Sequence, residues 1–138
     1  TSIRSCQYTR KTGPMTERTT LWTVTDPRGF GVSLTADAWA HIVGQHGEMT
    51  PYFDAVRIAI ADPDEIYFDE RSTKTKSPGV YVEAYYRRRV LTGRLETNVV
   101  FVSVKFVPAS EGVEGFVQTA LPANYPQRRM ALVWKRTT

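Results

Sequence analysis

Leu34 to Glu48 reads LTADAWAHIVGQHGE, and how that stretch folds decides how the rest of the chain is read. Leu34, Ala38, Trp39, Ile42, Val43 and His46 recur at a three-four spacing. That spacing predicts one amphipathic helix with those residues on a single stripe. Thr35 suits the N-cap, because its hydroxyl can accept a hydrogen bond from an unpaired first-turn amide. Asp37 suits the positive end of the helix dipole. Gly47 can take the left-handed conformation that closes a helix. Both histidines of the protein lie here. His41 precedes His46 by five residues, roughly 140° at 3.6 residues per turn, so a regular helix sends the two imidazoles to different faces.

Working outward, Thr50-Pro51 is a second start signal, a capping hydroxyl followed by Pro at the first helical position. Tyr52 to Ala61 continues as a helix with Phe53, Val56 and Ile60 on its buried stripe. Asp62-Pro63 stops it, since Pro lacks the amide and biases its predecessor away from helix. The period then changes from 3.6 to 2. Strands are predicted over Glu65 to Asp69, Gly79 to Arg87, Thr97 to Val107 and Val113 to Ala120, joined by the polar loop Glu70 to Pro78 and by turns at Gly93 and Pro108 to Gly112. Short connections make these an antiparallel meander. Met130 to Trp134 reads as a further strand, placed beside the N-terminal hairpin. That hairpin is Thr20 to Thr25 and Phe30 to Leu34 around the turn signal Asp26-Pro27-Arg28-Gly29.

The expected fold is therefore α+β: two helices packed on one face of a four-stranded antiparallel meander, with an N-terminal hairpin. Residues 1–19 read as a basic leader or linker and 20–138 as a single domain. Alternation places Val80, Val82, Ala84 and Tyr86 with Val100, Val102, Val104 and Phe106 on the helix-covered face, against Trp39, Ile42, Phe53, Val56 and Ile60. The opposite face then carries Tyr81, Glu83, Tyr85 and Arg87 beside Phe101, Ser103 and Lys105. It reads either as an ordinary solvated face or as one open to a ligand.

The 138 residues suffice for one domain with its own core, and 41% apolar content is globular rather than disordered. Thirteen of the eighteen basic residues are arginines and the net charge is +4. An Arg-rich surface is compatible with a polyanion such as nucleic acid, and equally with a soluble domain that is merely basic. Cys6 is the single cysteine, so no intramolecular disulfide can form, which fits a reducing compartment. No apolar run approaches the roughly 18 residues that read as a membrane span. The chain begins with Thr1, which reads as a processed product or a domain cut from a longer protein.

Two histidines five apart and one distant cysteine match no common zinc spacing. There is no Gly-rich phosphate loop, no EF-hand and no serine elbow. Glu48 and Glu83 cannot be paired as glycosidase carboxylates from sequence. What remains is general acid–base chemistry without a metal or other cofactor. RNA cleavage suits that inventory, because the substrate brings its own nucleophile, the 2′-hydroxyl. Histidine can serve as base and acid, and Arg and Lys can stabilise phosphate charge. Tyr81 and Tyr85 could stack on bases or pair across the sheet.

Trp39-Ala40-His41-Ile42, then His46-Gly47-Glu48, then a second helix ending in Asp62-Pro63-Asp64-Glu65-Ile66 resembles a motif of phage- and mobile-element-associated proteins. These belong to the barnase, EndoU, colicin and RelE-like (BECR) nuclease superfamily. Asn98 to Val102 and the closing Gln118-Thr119-Ala120 resemble its later strands. The similarity covers about Leu34 to Tyr125. It implies a metal-independent endoribonuclease, often deployed as a toxin, with RNA as substrate and an immunity or antitoxin protein as partner. The expected setting is the cytoplasm, reached directly or by delivery within a larger protein. His46 matches the His-Pro-Glu-like position and would be acid or base, although Gly47 replaces the usual Pro. His41 would be the second catalytic group or would orient the helix. Thr119 matches the closing-strand hydroxyl and would hold the scissile phosphate. Arg71, Lys74 and Lys76 lie in a region where such nucleases present cations, and Lys105 is a further candidate for stabilising charge. The alternative is a non-catalytic nucleic-acid or partner-binding module on the same scaffold.

Overall fold

The computed structural model describes residues 19–88, 99–123 and 130–137. Along the chain run β1 (Thr20–Thr25), β2 (Gly31–Thr35), α1 (Ala36–Gln45), a 3-10 turn (Gly47–Tyr52) and α2 (Phe53–Ala61). There follow β3 (Glu65–Asp69), α3 (Glu70–Thr73), β4 (Tyr81–Arg88), β5 (Val99–Ala109), β6 (Gly112–Pro122) and β7 (Met130–Lys135). The predicted leader, residues 1–19, lies outside the described residues except for Thr19, as does the turn around Gly93.

The local signals divide. Gly47 does not take the left-handed position but begins the 3-10 turn. Thr50 and Pro51 lie inside that turn, where the Thr50 hydroxyl donates to the Gly47 carbonyl, while α2 starts at Phe53 with no side-chain cap. Thr35 caps α1, its hydroxyl accepting from the Ala38 amide at 3.1 Å. Asp26 organises the β1–β2 turn by accepting from the amides of Arg28 and Phe30. Gly29, at φ 94°, takes the left-handed position there.

The expected four-stranded meander with two helices is not the fold. All seven strands form one mixed sheet in the order β1-β2-β6-β5-β4-β3-β7, with three short helices. β3 to β6 do run as a meander, but its two outer edges are both extended. The hairpin joins through β2, which lies parallel to β6. β7 pairs antiparallel with β3 at the far edge, not beside the hairpin. An open strand edge offers unpaired N–H and C=O groups to any strand that reaches it. Strand patterning assigns faces but is silent on which edge a remote strand will meet.

The face assignment of β4 is also corrected. Tyr85 pairs with Val102 and Tyr81 with Phe106, so Tyr81, Glu83 and Tyr85 lie on the helix-covered face. Val82, Ala84 and Tyr86 lie on the other. A one-residue slip inverts every side chain of a strand, and β4 is apolar enough on both faces that alternation alone does not choose.

The core sits between α1, α2 and the sheet. Ile42, Val56, Ala59 and Ile60 are fully buried against Val100, Val102, Val104 and Phe106, with Trp39 and Phe53 packed at the margin. Trp39 meets Phe53 edge-on at 5.0 Å between centroids.

Gly115 sits where the hairpin joins. A Cβ there would lie 2.9 Å from Phe106 and 3.0 Å from both Val104 and Val32. Gly115→Ala should therefore lower unfolding free energy by about 1–3 kcal/mol, the usual penalty of an overpacked core, read from the urea midpoint at unchanged slope. An unshifted midpoint would show that the seam has slack.

Candidate functional site

A groove of about 680 Å³ opens where β2 and β6 part. The two strands pair only at Val32–Gly115 and Ser33–Phe116. Beyond that point β2 ends at Thr35 and turns into α1, while β6 continues to Pro122. One wall carries Thr20, Thr35, Asp37, Ala38 and His41. Ala38 and Asp37 precede His41 by three and four residues, which sets each beside it on the helix surface. The facing wall carries Lys105, Val107, Phe116, Val117 and Gln118.

The strand wall is shaped by a β-bulge. Val104 opposes Val117 and Ser103 opposes Thr119, which leaves Gln118 as the extra residue. A bulge bends its strand and re-aims a side chain. The side-chain carbonyl oxygen of Gln118 is buried and has no hydrogen-bond partner among the described residues. Lys105 is half-buried, opposite Phe116 in the ladder, and makes no ion pair among the described residues. The groove thus combines an imidazole, a carboxylate, an ammonium without an ion pair among the described residues, two hydroxyls, an amide and an apolar strip. Such a set can transfer a proton, hold an anion and seat a flat ring.

The anticipated site residues divide. His41 and Lys105 share the groove. His46 closes α1 instead, its amide donating to the Ile42 carbonyl at 2.7 Å and its carbonyl accepting from Met49. It is half-buried and outside the groove lining. Thr119 adjoins Gln118 on β6 but is not part of the lining. Arg71 is exposed on α3 and Lys76 half-buried just after it. Tyr81 stacks on Phe106 at 5.2 Å between centroids. Among the described residues, no three His, Cys, Asp or Glu side chains gather as a metal-binding group.

Tyr85 is wholly buried and presents no face to a base. It belongs to a polar cluster between the hairpin turn and β4. Arg28 bonds Asp26 at 2.8 Å and Glu83 at 2.6 Å, and the Tyr85 hydroxyl donates to Asp26 at 2.7 Å. The Phe30 ring lies 4.7 Å from the guanidinium. Burial alone would lower the Arg28 pKa, but the hydrogen bonds to Glu83 and Asp26 outweigh it and the net shift is upward. Burial, then the Asp26 charge, pushes the Tyr85 phenol up.

Sequence reading quoted Gln118 only as part of the closing strand and gave neither it nor Phe116 a role in a site. A signal for both exists. In Phe116-Val117-Gln118-Thr119 two apolar residues precede two polar ones, a slip in alternation that marks a bulge. No family model, curated protein or solved structure matches the chain.

Arg28→Met leaves two buried carboxylates without their cation, and should cost about 3–5 kcal/mol in urea unfolding. The phenol shift sets a pH dependence. Above about pH 10 an unfolded tyrosine loses its proton while the folded Tyr85 keeps it, so stability falls as pH rises through that range. Tyr85→Phe should flatten the alkaline limb of a plot of stability against pH, and a limb of unchanged steepness would assign it to other tyrosines.

Proposed function

We propose that the protein is a metal-independent endoribonuclease, with His41 and Lys105 as its central pair. The observation that supports this reading is the groove lined by both, with Phe116 and Gln118 alongside. The resemblance of residues 34–125 to the BECR nucleases is a second support for the chemistry, although the seven-stranded sheet is not the fold it implies.

In this reading His41 takes the proton of a ribose 2′-hydroxyl. The 2′-oxygen bonds to the adjacent phosphorus, and the bond from phosphorus to the 5′-oxygen breaks. The imidazolium returns its proton to that leaving oxygen. The products are a 2′,3′-cyclic phosphate and a 5′-hydroxyl, with no net change in protons. Lys105 neutralises charge on the crowded phosphate, an electrostatic role suited to a half-buried cation. His46, off the groove, keeps a structural place at the end of α1. A toxin role, and an immunity or antitoxin partner, follow from the family resemblance and belong to the same proposal. No helix among the described residues is long and apolar enough to cross a membrane.

The second reading, a non-catalytic nucleic-acid or partner-binding module, is favoured by the single imidazole of the groove. One assay separates the two. A mixed RNA pool incubated in EDTA should yield cyclic-phosphate ends, with no cleavage where the 2′-hydroxyl is replaced by hydrogen. His41→Ala should lower the rate by about 10²–10⁴-fold, the usual worth of a general acid–base group, while a folded His46→Ala stays within a few-fold of wild type. Cleavage of all-deoxy substrate would refute the mechanism. Salt-sensitive binding without turnover would establish the second reading.

A further inference from the structure

We infer that the groove selects adenine, through the Gln118 amide and the Phe116 ring. The inference rests on the reading of the groove as an RNA site and deepens it by naming the base. Three observations carry it. Gln118 is the bulged residue of β6, so its direction is set by the backbone rather than by strand alternation. Its carbonyl oxygen is buried and meets no donor among the described residues. Phe116, on the same wall, is half-buried and offers an apolar surface beside it.

A buried acceptor without a donor is a destabilising feature of the free protein. A donor that reaches this oxygen from the groove supplies the hydrogen bond it lacks. A ligand with a well-placed N–H thus removes an existing defect as it binds, whereas one without that group leaves the defect in place. A glutamine amide carries an acceptor and a donor side by side. That pair matches the 6-amino group and N7 of adenine, which present a donor and an acceptor at the same spacing. Phe116 supplies a ring on which an unstacked base can lie, the usual partner for single-stranded RNA. With the base so held, Lys105, paired directly opposite Phe116, stands beside the attached phosphate on the same wall.

The test measures binding, so that it does not depend on turnover. The probes are 2′-fluoro hexanucleotides of adenosine, of purine riboside lacking the 6-amino group, and of uridine. Wild-type protein should bind the adenosine oligomer about tenfold more tightly than the other two, the order expected of one bidentate base contact. Gln118→Leu should abolish the preference, bringing the adenosine oligomer down to the level of the other two. Gln118→Glu, which keeps the acceptor and loses the donor, should fall between wild type and Gln118→Leu and serves where the leucine variant does not fold. Equal wild-type affinity for all three oligomers, or a preference that survives in both variants, overturns the adenine assignment and leaves the RNA reading standing. Failure of every oligomer to bind overturns both.

Discussion

The whole arrangement depends on two residue pairs. Val32–Gly115 and Ser33–Phe116 make the one parallel seam of the sheet among the described residues. Through it the hairpin and the helix that follows it are joined to the meander. The seam is possible because Gly115 has no Cβ, where Phe106, Val104 and Val32 already fill the space. It is short because β2 ends at Thr35, whose side chain caps α1. A longer seam would close the space between α1 and β6. The groove is thus the region just past a pairing that stops early.

A second attachment holds the other end of the hairpin. Arg28 reaches from the turn to Glu83 on β4, a strand separated from β2 by β6 and β5. Its pairing also explains why a glutamate faces the core at all. A buried carboxylate without a partner is strongly destabilising; Asp26 and Glu83 share the Arg28 guanidinium, and Asp26 also accepts from the Tyr85 phenol. Other arginines are engaged similarly at the surface. Arg87, Arg88 and Arg136 pair with Asp62, Asp64 and Glu65 where α2 turns into β3. Among the described residues, Arg28, Lys74, Arg87, Arg88 and Arg136 are thus engaged in ion pairs. Lys105, without an ion pair among the described residues, is set apart by lining the groove.

The sheet edges follow the same economy of local devices. Leu21 and Leu132 with Val133, the exposed large apolar residues, lie on the two edge strands β1 and β7. Each edge strand carries a register shift, near Thr20–Trp22 and opposite Ile66–Tyr67. Irregular edges twist away from flat pairing and discourage association with another chain.

The sequence by itself did not determine the end of α1, the start of α2 or α3. It determined α1 with its Thr35 cap, the body of α2, the places of the strands and part of the apolar stripe that the two helices bury. These follow from periodicity and capping, which act over a few residues. It also marked His41 and Lys105, though for separate reasons. Only the tertiary structure decided that they share a groove, that His46 does not, and that Tyr85 is sealed beneath Arg28. It also decided that seven strands make one sheet. Those outcomes turn on contacts between remote segments: a parallel seam at Gly115, an ion pair from the hairpin turn to β4, and an edge strand arriving at β3 from the end of the chain. No local pattern encodes them, because two faces of similar apolarity and two open edges look alike until a distant partner selects one.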